Sequence, residues 1–300
     1  MRIIVLIICV FMSYQNIYAQ KNNQYYSKSK KAHGSRILNR HQFIPSDNIS
    51  DPFINTYFGS NTGTGFASTD INIDGLDPFE ANMAAFQQGF ESQIRLHEYF
   101  ALKLSTNAFI LTGTNEDTVL ILGTVAQADY GIGAKTGVTL GDFALGLAID
   151  YQNNMSYQAS PFIALVNASR TGRISAKGML IDQSESAASF DLQAAYGFNR
   201  MFGLFAHTKY TAMDNASIEL GLALSIDLRK KVAPIGFLLN TTYQSSSLDT
   251  VTGYGLGIFY TGRENLALGT EVSMGTIESS DAPNSAIDLI TLLLRLRYYW

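Results

Sequence analysis

The chain has 300 residues and a mildly acidic balance, with 25 Asp and Glu against 21 Lys and Arg. This balance argues against a nucleic-acid partner, because binding to phosphates relies on clustered positive charge. The 25 glycines, 18 Phe and 16 Tyr, with only 6 prolines, suit many strands better than helices. No stretch after residue 20 is apolar enough for a helical membrane span. A soluble β-protein and a β-barrel in a membrane both remain open.

The first residues have the pattern of a secretory signal. Arg2 supplies a positive start, residues 3–12 are apolar, and Ala19 is a small residue before a cleavage site. The apolar run is too short for a membrane anchor, which needs about 20 residues. We therefore predict a signal peptide at 1–19. Cys9, the only cysteine, lies inside it, so strand pairing rather than disulfides is expected to hold the exported chain together.

Residues 20–51 are polar and basic with little apolar periodicity, which predicts a flexible tether. From Pro52 onward the chain consists of segments that alternate in polarity. Successive side chains in a strand point to opposite faces, so each segment has one apolar and one polar face. The predicted strands, in chain order, are 53–66, 90–96, 102–110, 129–140, 143–151, 190–198, 204–212, 215–228, 235–244, 252–261, 266–274 and 285–300.

The connections between these segments alternate between short and long. Short ones lie near 97–99, 141–142, 199–202, 229–234 and 263–265, and long ones lie near 71–87, 112–128 and 157–189. Tight turns on one side and long loops on the other are typical of membrane barrels, whereas a sandwich gives no reason for this alternation. We therefore predict an all-β fold: a closed antiparallel up-and-down transmembrane β-barrel of about 12 strands over residues 52–300.

The final predicted strand ends in a distinctive pattern. Leu294, Leu296, Tyr298 and Trp300 place apolar residues at alternate positions before a terminal aromatic. This end resembles the C-terminal signal that the barrel assembly machinery reads, and residues 52–300 resemble Gram-negative outer-membrane β-barrels. The resemblance implies export to the outer membrane, contact with its lipid and periplasmic termini, with the tether in the periplasm. It identifies no transporter family. The Ala-Gln cleavage site and the Tyr- and Asn-rich start that follows resemble exported proteins of Bacteroidota.

The polar faces of the predicted strands are expected to line the lumen, because lipid takes the apolar faces. The predicted lumen-lining residues are Glu91, Arg95, Lys103, Asp129, Lys135, Asp150, Asp191, His207, Lys209, Glu219, Asp227, Glu271, Arg295 and Arg297. A ring of one sign would indicate strong ion selectivity, and none is visible. Two interpretations stay open: cross-strand ion pairs that fill the interior, or the lining of a conductive path.

Two of the long loops contain apolar stretches, at 118–125 and 161–166. The first follows Asn115 and two acidic residues, which is the pattern of a helix N-terminus. One hypothesis is that both stretches fold into or over the lumen as a plug or an apolar binding patch. The alternative is that strands extend beyond the bilayer, or that the loops pack on each other.

No catalytic motif, metal site or cofactor site stands out in the sequence. Outer-membrane phospholipases, which are also β-barrels, use a histidine near the lipid. His207 is the sole candidate here, but its position in the strand predicts that it faces the lumen. We expect a non-enzymatic passive channel or transporter for small solutes or apolar molecules. The alternative is a non-conducting structural or assembly-associated barrel, and a surface phospholipase-like enzyme is a minor alternative.

Overall fold

The structure is a computed structural model that describes residues 36–71, 79–121, 123–161, 167, 169, 180–213, 216–228, 233–279 and 286–300. All of them belong to one compact unit, Gly34–Trp300. The predicted signal peptide and residues 20–35 of the predicted tether lie outside the described residues, so both stay predictions there.

Twelve strands form one closed antiparallel barrel, which confirms the predicted fold class and strand number. Closure leaves no strand edge unpaired, as a sheet in lipid requires. Two short strands come first, β1 Ile37–Leu38 and β2 His41–Gln42, and form a separate sheet. The twelve barrel strands are β3 Tyr57–Ile71, β4 Phe79–His97, β5 Phe100–Gly113, β6 Thr124–Leu140, β7 Phe143–Ala159, β8 Leu180–Gly197, β9 Phe202–Ala212, β10 Ser217–Asp227, β11 Ile235–Ser246, β12 Asp249–Tyr260, β13 Leu266–Ser279 and β14 Ala286–Tyr299. A short helix, α1, spans Glu116–Ile121. Among the described residues, no helix is both long and apolar enough to cross a membrane.

Each of the strands β3 to β14 pairs with its neighbours along the chain, and the barrel closes where β14 pairs with β3. At this seam Arg295 lies opposite Asn61, and Tyr299 lies opposite Tyr57. Because β3 starts and β14 ends at the same end of the barrel, the residues at both limits of the sheet meet there.

The two ends of the barrel differ in their connections. The turns at 98–99 and 141–142 lie at the end where β3 starts, which we call the turn end. The opposite end, which we call the loop end, includes the connections at 72–78, 114–123 and 160–179. The predicted division into short turns and longer loops is therefore confirmed for these connections.

Several strands are longer than the polarity pattern predicted. Strand β4 begins at Phe79, inside the predicted loop 71–87. Strands β7 and β8 pair Ala159 with Leu180, inside the predicted loop 157–189. A strand that leaves the lipid meets water on both faces, so nothing there requires polarity to alternate. For these residues the structure favours extended strands over irregular loops.

Burial alternates along the strands and separates an inner from an outer face. On β14, Leu293, Arg295, Arg297 and Tyr299 are buried, while the residues between them are more exposed. The exposed aromatic residues of the outer face include Tyr130, Tyr151, Phe198, Tyr210, Tyr254, Tyr260, Tyr298 and Trp300. An outer surface of exposed aliphatic and aromatic side chains is suited to lipid rather than to water.

Residues 36–56, which precede β3 and which we call the N-terminal segment, run from the turn end into the barrel. Phe43, Ile44 and Phe53 belong to one buried cluster with Phe205 of β9. The prediction of a flexible tether is therefore corrected for residues 36–51. An irregular segment that is enclosed on all sides has no single buried face. Its apolar residues therefore show neither the helical nor the strand period.

Candidate functional site in the barrel lumen

The N-terminal segment begins at the turn end as a small hairpin. Strands β1 and β2 pair with each other and, among the described strands, with none of the barrel. Asn39 donates from Nδ2 to the carbonyl oxygens of Gly197 (3.1 Å) and Phe198 (3.0 Å). Gln42 donates to the carbonyl oxygen of Arg263 (3.3 Å). Side-chain hydrogen bonds to the turns, rather than a shared sheet, attach the hairpin to the barrel.

Aromatic side chains fill the lumen beyond the hairpin. The ring centroid of Phe43 lies 5.1 Å from that of Phe53 and 6.0 Å from that of Phe205. Gly203 of β9 leaves room for Phe43 at the inner face of the barrel strands, which we call the wall. A Cβ atom at Gly203 would lie 2.6 Å from the Phe43 Cζ. Burial of these rings stabilises the segment inside the barrel through the apolar area removed from water.

Side chains of the barrel wall, among them Ser225 and Glu271, bind the backbone of the N-terminal segment. Ser225 of β10 accepts a hydrogen bond from the Ile44 amide (3.1 Å) and contacts His41 Nε2 (3.0 Å). Glu271 of β13 accepts from the Asp47 amide (3.3 Å). Buried backbone amides outside a sheet need such partners, so these two side chains fix the position of the segment.

Asp51 ties the N-terminal segment to two separate parts of the wall. Its carboxylate lies 3.4 Å from Arg297 Nη1 of β14 and 3.3 Å from Lys135 Nζ of β6. Lys135 also donates to the Asp51 carbonyl oxygen. Burial alone would raise the pKa of Asp51, but the charges of Lys135 and Arg297 outweigh burial and hold the pKa below its ordinary value. Asp51 is therefore ionised at neutral pH.

A second carboxylate of the segment lies beside the first. Asp47 is 3.5 Å from Arg295, the inward residue of β14 that precedes Arg297. Glu91 of β4 lies 3.1 Å from Arg295 and 2.5 Å from Arg297, so a negative charge on the wall separates the two positive ones. Each arginine thus contacts one carboxylate of the wall and one of the N-terminal segment.

His207 of β9 also contacts the N-terminal segment. Its Nδ1 accepts a hydrogen bond from the Ser50 amide (3.4 Å) and lies 3.7 Å from Asp191. Its Nε2 lies 3.5 Å from Glu219 of β10. All of these groups lie inside the barrel, so His207 faces the lumen and not the lipid.

The lumen changes from filled to water-exposed between His207 and Lys209, which are successive inward residues of β9. The His207 side chain is 2% exposed, whereas that of Lys209, one inward position nearer the loop end, is 27% exposed. Lys209 lies 3.9 Å from Glu219, whose side chain is 22% exposed. The interior is therefore densely packed around His207, and the side chains one level nearer the loop end are partly accessible to water.

A further ion pair crosses over strand β6. Lys103 of β5 donates to Asp150 of β7 at 2.9 Å, and Gly133 of β6 lies between them in the register. A Cβ atom at Gly133 would lie 2.8 Å from the Asp150 Cγ, so the glycine leaves the space in which the pair forms. Pairs of this kind favour the interpretation that the mixed charges form cross-strand ion pairs.

The remaining predicted lumen residues lie on the inner face as well. Arg95 donates from Nε to the His97 carbonyl oxygen (3.4 Å), Asp129 accepts from Gln127 (2.8 Å), and Asp227 is buried. Their role in solute passage stays a prediction. The residues of the predicted assembly signal lie on the opposite, outer face of β14 and are exposed: Leu294, Leu296, Tyr298 and Trp300. Within the described part of the chain, no group of three or more His, Cys, Asp or Glu side chains is arranged to hold a metal ion.

The residues that close the lumen lie in a stretch whose polar composition predicts a flexible tether, so the sequence does not predict their contacts with the barrel. Asp47 and Asp51 lie within the predicted tether, and both contact inward residues of β14. The sequence feature that indicates burial of this stretch is the presence of Phe43, Ile44 and Ile49, because such apolar residues are scarce in flexible polar linkers.

Helix α1 lies at the loop end, beside the inner face of β5. The Asn115 Oδ1 accepts a hydrogen bond from the Thr118 amide (2.8 Å), which confirms the predicted helix start. An inward Cβ at Gly113 would lie 2.8 Å from the Thr118 carbonyl carbon, so the helix covers this part of the inner face. The second apolar stretch, 161–166, lies outside the described residues except for its first position. Among the described residues, those that fill the turn-end lumen belong to the N-terminal segment.

The fold is shared with solved outer-membrane channels. A TodX monoaromatic hydrocarbon channel, in its ΔS2S3 mutant form, matches with a TM-score of 0.52 and 8% identity, over 89% of this chain and 99% of that chain. An outer membrane channel from Pseudomonas putida F1 matches with a TM-score of 0.50 and 13% identity, over 85% of this chain and 99% of that chain. The sequence matches no protein-family model and no curated protein. The chain therefore has an outer-membrane-type barrel fold, and identities this low show the fold alone.

Proposed function

We propose that this chain is a passive outer-membrane channel for small solutes, closed at the turn end by its own N-terminal segment. The observation that carries the proposal is the change from filled to water-exposed lumen between His207 and Lys209. A barrel with a purely structural role could be filled by wall side chains throughout. Here a water-exposed lumen ends at a closure made by a separate piece of chain.

The closure can be displaced without breaking the barrel. Strands β1 and β2 form their own sheet, so no described barrel strand loses a partner when they leave. Arg295 and Arg297 also keep Glu91 of the wall as a partner. A buried cation without any partner is strongly destabilising, so this wall carboxylate lowers the free energy of the open state.

We place the turn end in the periplasm and the loop end outside the cell. The predicted signal peptide 1–19 supports export, and the exposed outer-face row that ends in Trp300 supports delivery by the barrel assembly machinery. Outer-membrane lipid is then the environment of the exposed apolar face. In this orientation both termini of the barrel are periplasmic, and solute enters the water-exposed lumen from outside.

The chemistry of the lumen fits small solutes without selection for one charge sign. The partly water-exposed region carries charges of both signs, as in the pair of Lys209 with Glu219. Ile287 and Leu289, inward residues of β14 toward the loop end, offer an apolar surface as well. The TodX channel, which shares the fold, is a monoaromatic hydrocarbon channel, and this supports a channel function without naming the solute. We expect no phospholipase activity, because His207 lies inside the barrel.

Conductance in planar lipid bilayers tests the proposal. We expect the wild-type chain to be mostly closed, and a double variant Asp47→Asn and Asp51→Asn to raise the open fraction about tenfold or more, because it removes both carboxylates that bind the N-terminal segment to β14. The matched control is Asp288→Asn, since the Asp288 carboxylate bonds Thr276 on the outer face and does not contact the segment.

The structural alternative predicts a different result in the same assay. A barrel that is correctly folded, as judged by its heat-modifiable electrophoretic mobility, but that conducts in neither form would contradict a channel function. That outcome would favour the non-conducting structural or assembly-associated role.

A further inference from the structure

One sector of the outer face carries a row of small polar side chains beside the exposed leucines of β14. On β3 three successive outward positions carry Ser60, Thr62 and Thr64, between the exposed rings of Phe58 and Phe66. The alternation of burial fixes this orientation, because Gly59, Gly63 and Gly65, which flank these positions, are buried on the inner side. The hydroxyl groups of this row therefore point away from the lumen.

Strand β4 continues the polar sector. Gln88 lies directly opposite Thr62 in the β3–β4 register, and the Thr62 hydroxyl donates to the Gln88 Oε1. The Gln88 amide nitrogen donates to the carbonyl oxygen of the adjacent Gly89 at 3.4 Å. We call Ser60, Thr62, Thr64 and Gln88 the hydroxyl patch.

The hydroxyl patch lies at the level of the lipid-facing residues of the next strand. Across the seam, Leu292, Leu294 and Leu296 of β14 lie opposite Thr64, Thr62 and Ser60 in that order. These leucines are exposed on the outer face. In none of the other described strands do three successive outward positions carry Ser or Thr.

Lipid is a poor cover for this patch. Hydroxyl and carboxamide groups in hydrocarbon cost free energy wherever a hydrogen-bonding group lacks a partner. The patch is bounded by Phe58 on the turn side and Phe66 on the loop side, in positions that suit the interfacial aromatic residues of a barrel. A surface that covers the patch would therefore itself lie in the membrane and supply hydrogen-bonding groups to Ser60 and Thr64.

We infer that the hydroxyl patch is the contact surface of a homodimer, formed with the same patch of a second copy of this chain. Every group in it both donates and accepts hydrogen bonds, and none is charged, so the patch is complementary to itself without like-charge repulsion. Its hydroxyl side chains are small, and small side chains let membrane-spanning walls approach closely.

The aromatic residues around the hydroxyl patch fit the rim of such a contact. The rings of Phe58 and Phe90 are stacked at a centroid distance of 6.1 Å, and Phe66 and Phe86 are exposed on the loop side. In a two-fold dimer these rings lie around the polar centre and shield its hydrogen bonds from lipid. The inference is independent of channel function, because a non-conducting barrel can carry the same contact.

Cysteine cross-linking in membranes tests the contact directly. In a Cys9→Ser background, which leaves the chain without cysteine, we expect Thr62→Cys to form a disulfide-linked dimer on oxidation. The matched control is Leu222→Cys, an exposed outward position on β10, five strands away around the barrel. Cross-linking at least tenfold stronger at position 62 than at position 222 supports the dimer. Equal yields at both positions, or none at position 62, overturn it.

A second variant separates loss of contact from loss of folding. Replacing Thr62 and Gln88 together by Leu gives this sector the apolar character of β14, so the barrel is expected to fold and to be monomeric. Native mass spectrometry in mild detergent measures the dimer fraction, and heat-modifiable mobility confirms the fold. A dimer fraction that falls at least tenfold in the folded variant supports the inference. An unchanged fraction contradicts it.

Discussion

Asp51 and Arg297 lie 3.4 Å apart, although one precedes the first barrel strand and the other belongs to the last. Their contact joins the N-terminal segment to β14, the strand that closes the barrel against β3. Arg297 is positioned for this contact only when β14 is in its register, so the closed lumen depends on the completed barrel. A residue that precedes the first barrel strand and a residue of the last barrel strand thus meet in one ion-pair cluster.

Asp51→Asn weakens the attachment of the N-terminal segment. The substitution leaves Lys135 without its carboxylate partner and leaves Arg297 with Glu91, so we expect the closed state to lose about 2–4 kcal/mol relative to the open one. Hydrogen exchange at the Ile44 amide, which bonds Ser225 in the closed state, measures the change. Exchange as slow as in the wild type would show that Asp51 does not hold the segment.

The closed state is expected to weaken in acid. The pKa of Asp51 is lowered from its ordinary value of 3.8 in the closed state. Because this pKa is lower in the closed state, the ionised carboxylate stabilises the closed state at pH values above 3.8. This stabilisation is lost as the pH falls through the closed-state pKa, which lies below 3.8.

Single-channel recording across this range checks the pH dependence. The open fraction should rise below pH 3.8, and the component due to Asp51 should be missing in Asp51→Asn. The same acid response in wild type and variant would mean that other groups cause it.

Gly203→Val is expected to displace the N-terminal segment by crowding. A Cβ atom at Gly203 would lie 2.6 Å from the Phe43 Cζ, so a branched side chain cannot share the space with this ring. We expect faster proteolysis of the segment by trypsin, which can cut after Arg36 and Arg40, with the barrel intact. Gly275→Ala is the control, since its nearest neighbours belong to β12. Equal cleavage rates in both variants would argue against the packing of Phe43.

Phe43→Ala removes a buried aromatic ring of the N-terminal segment without adding volume. The ring is buried against Phe53 and Phe205, so we expect a loss of about 3–4 kcal/mol from the closed state. Hydrogen exchange of the segment should quicken, while that of β10 and β14 stays unchanged. Uniform quickening throughout the barrel would mean that Phe43 stabilises the whole fold and not the closure alone.

The barrel strands can be predicted from the sequence because each of them carries its own alternation of polar and apolar residues. Alternation from Ile290 to Trp300 places Arg295 and Arg297 on the inner face without reference to any other strand. The closure does not follow in this way. Asp51 meets Arg297 only through the finished fold, and the apolar residues near Phe43 carry no regular period. The outer ends of β4 and β8 were missed for a similar reason, since water on both faces removes the alternation.

The conductance of a chain whose N-terminal segment is locked to the wall tests the central claim most directly. A Cβ atom at Gly146 would lie 3.2 Å from the Pro52 Cβ and 2.9 Å from the Pro52 Cα, so the two segments must move apart by a few tenths of an ångström to reach the Cβ separation of about 3.5–4.5 Å that a disulfide spans. In the Cys9→Ser background, the pair Pro52→Cys and Gly146→Cys should form a lock under oxidation, with each single variant as a control. If the segment is the gate, oxidation abolishes channel openings in the double variant and a reducing agent restores them. Openings that continue unchanged in the fully cross-linked chain would contradict the account, because solute would then pass without moving the segment.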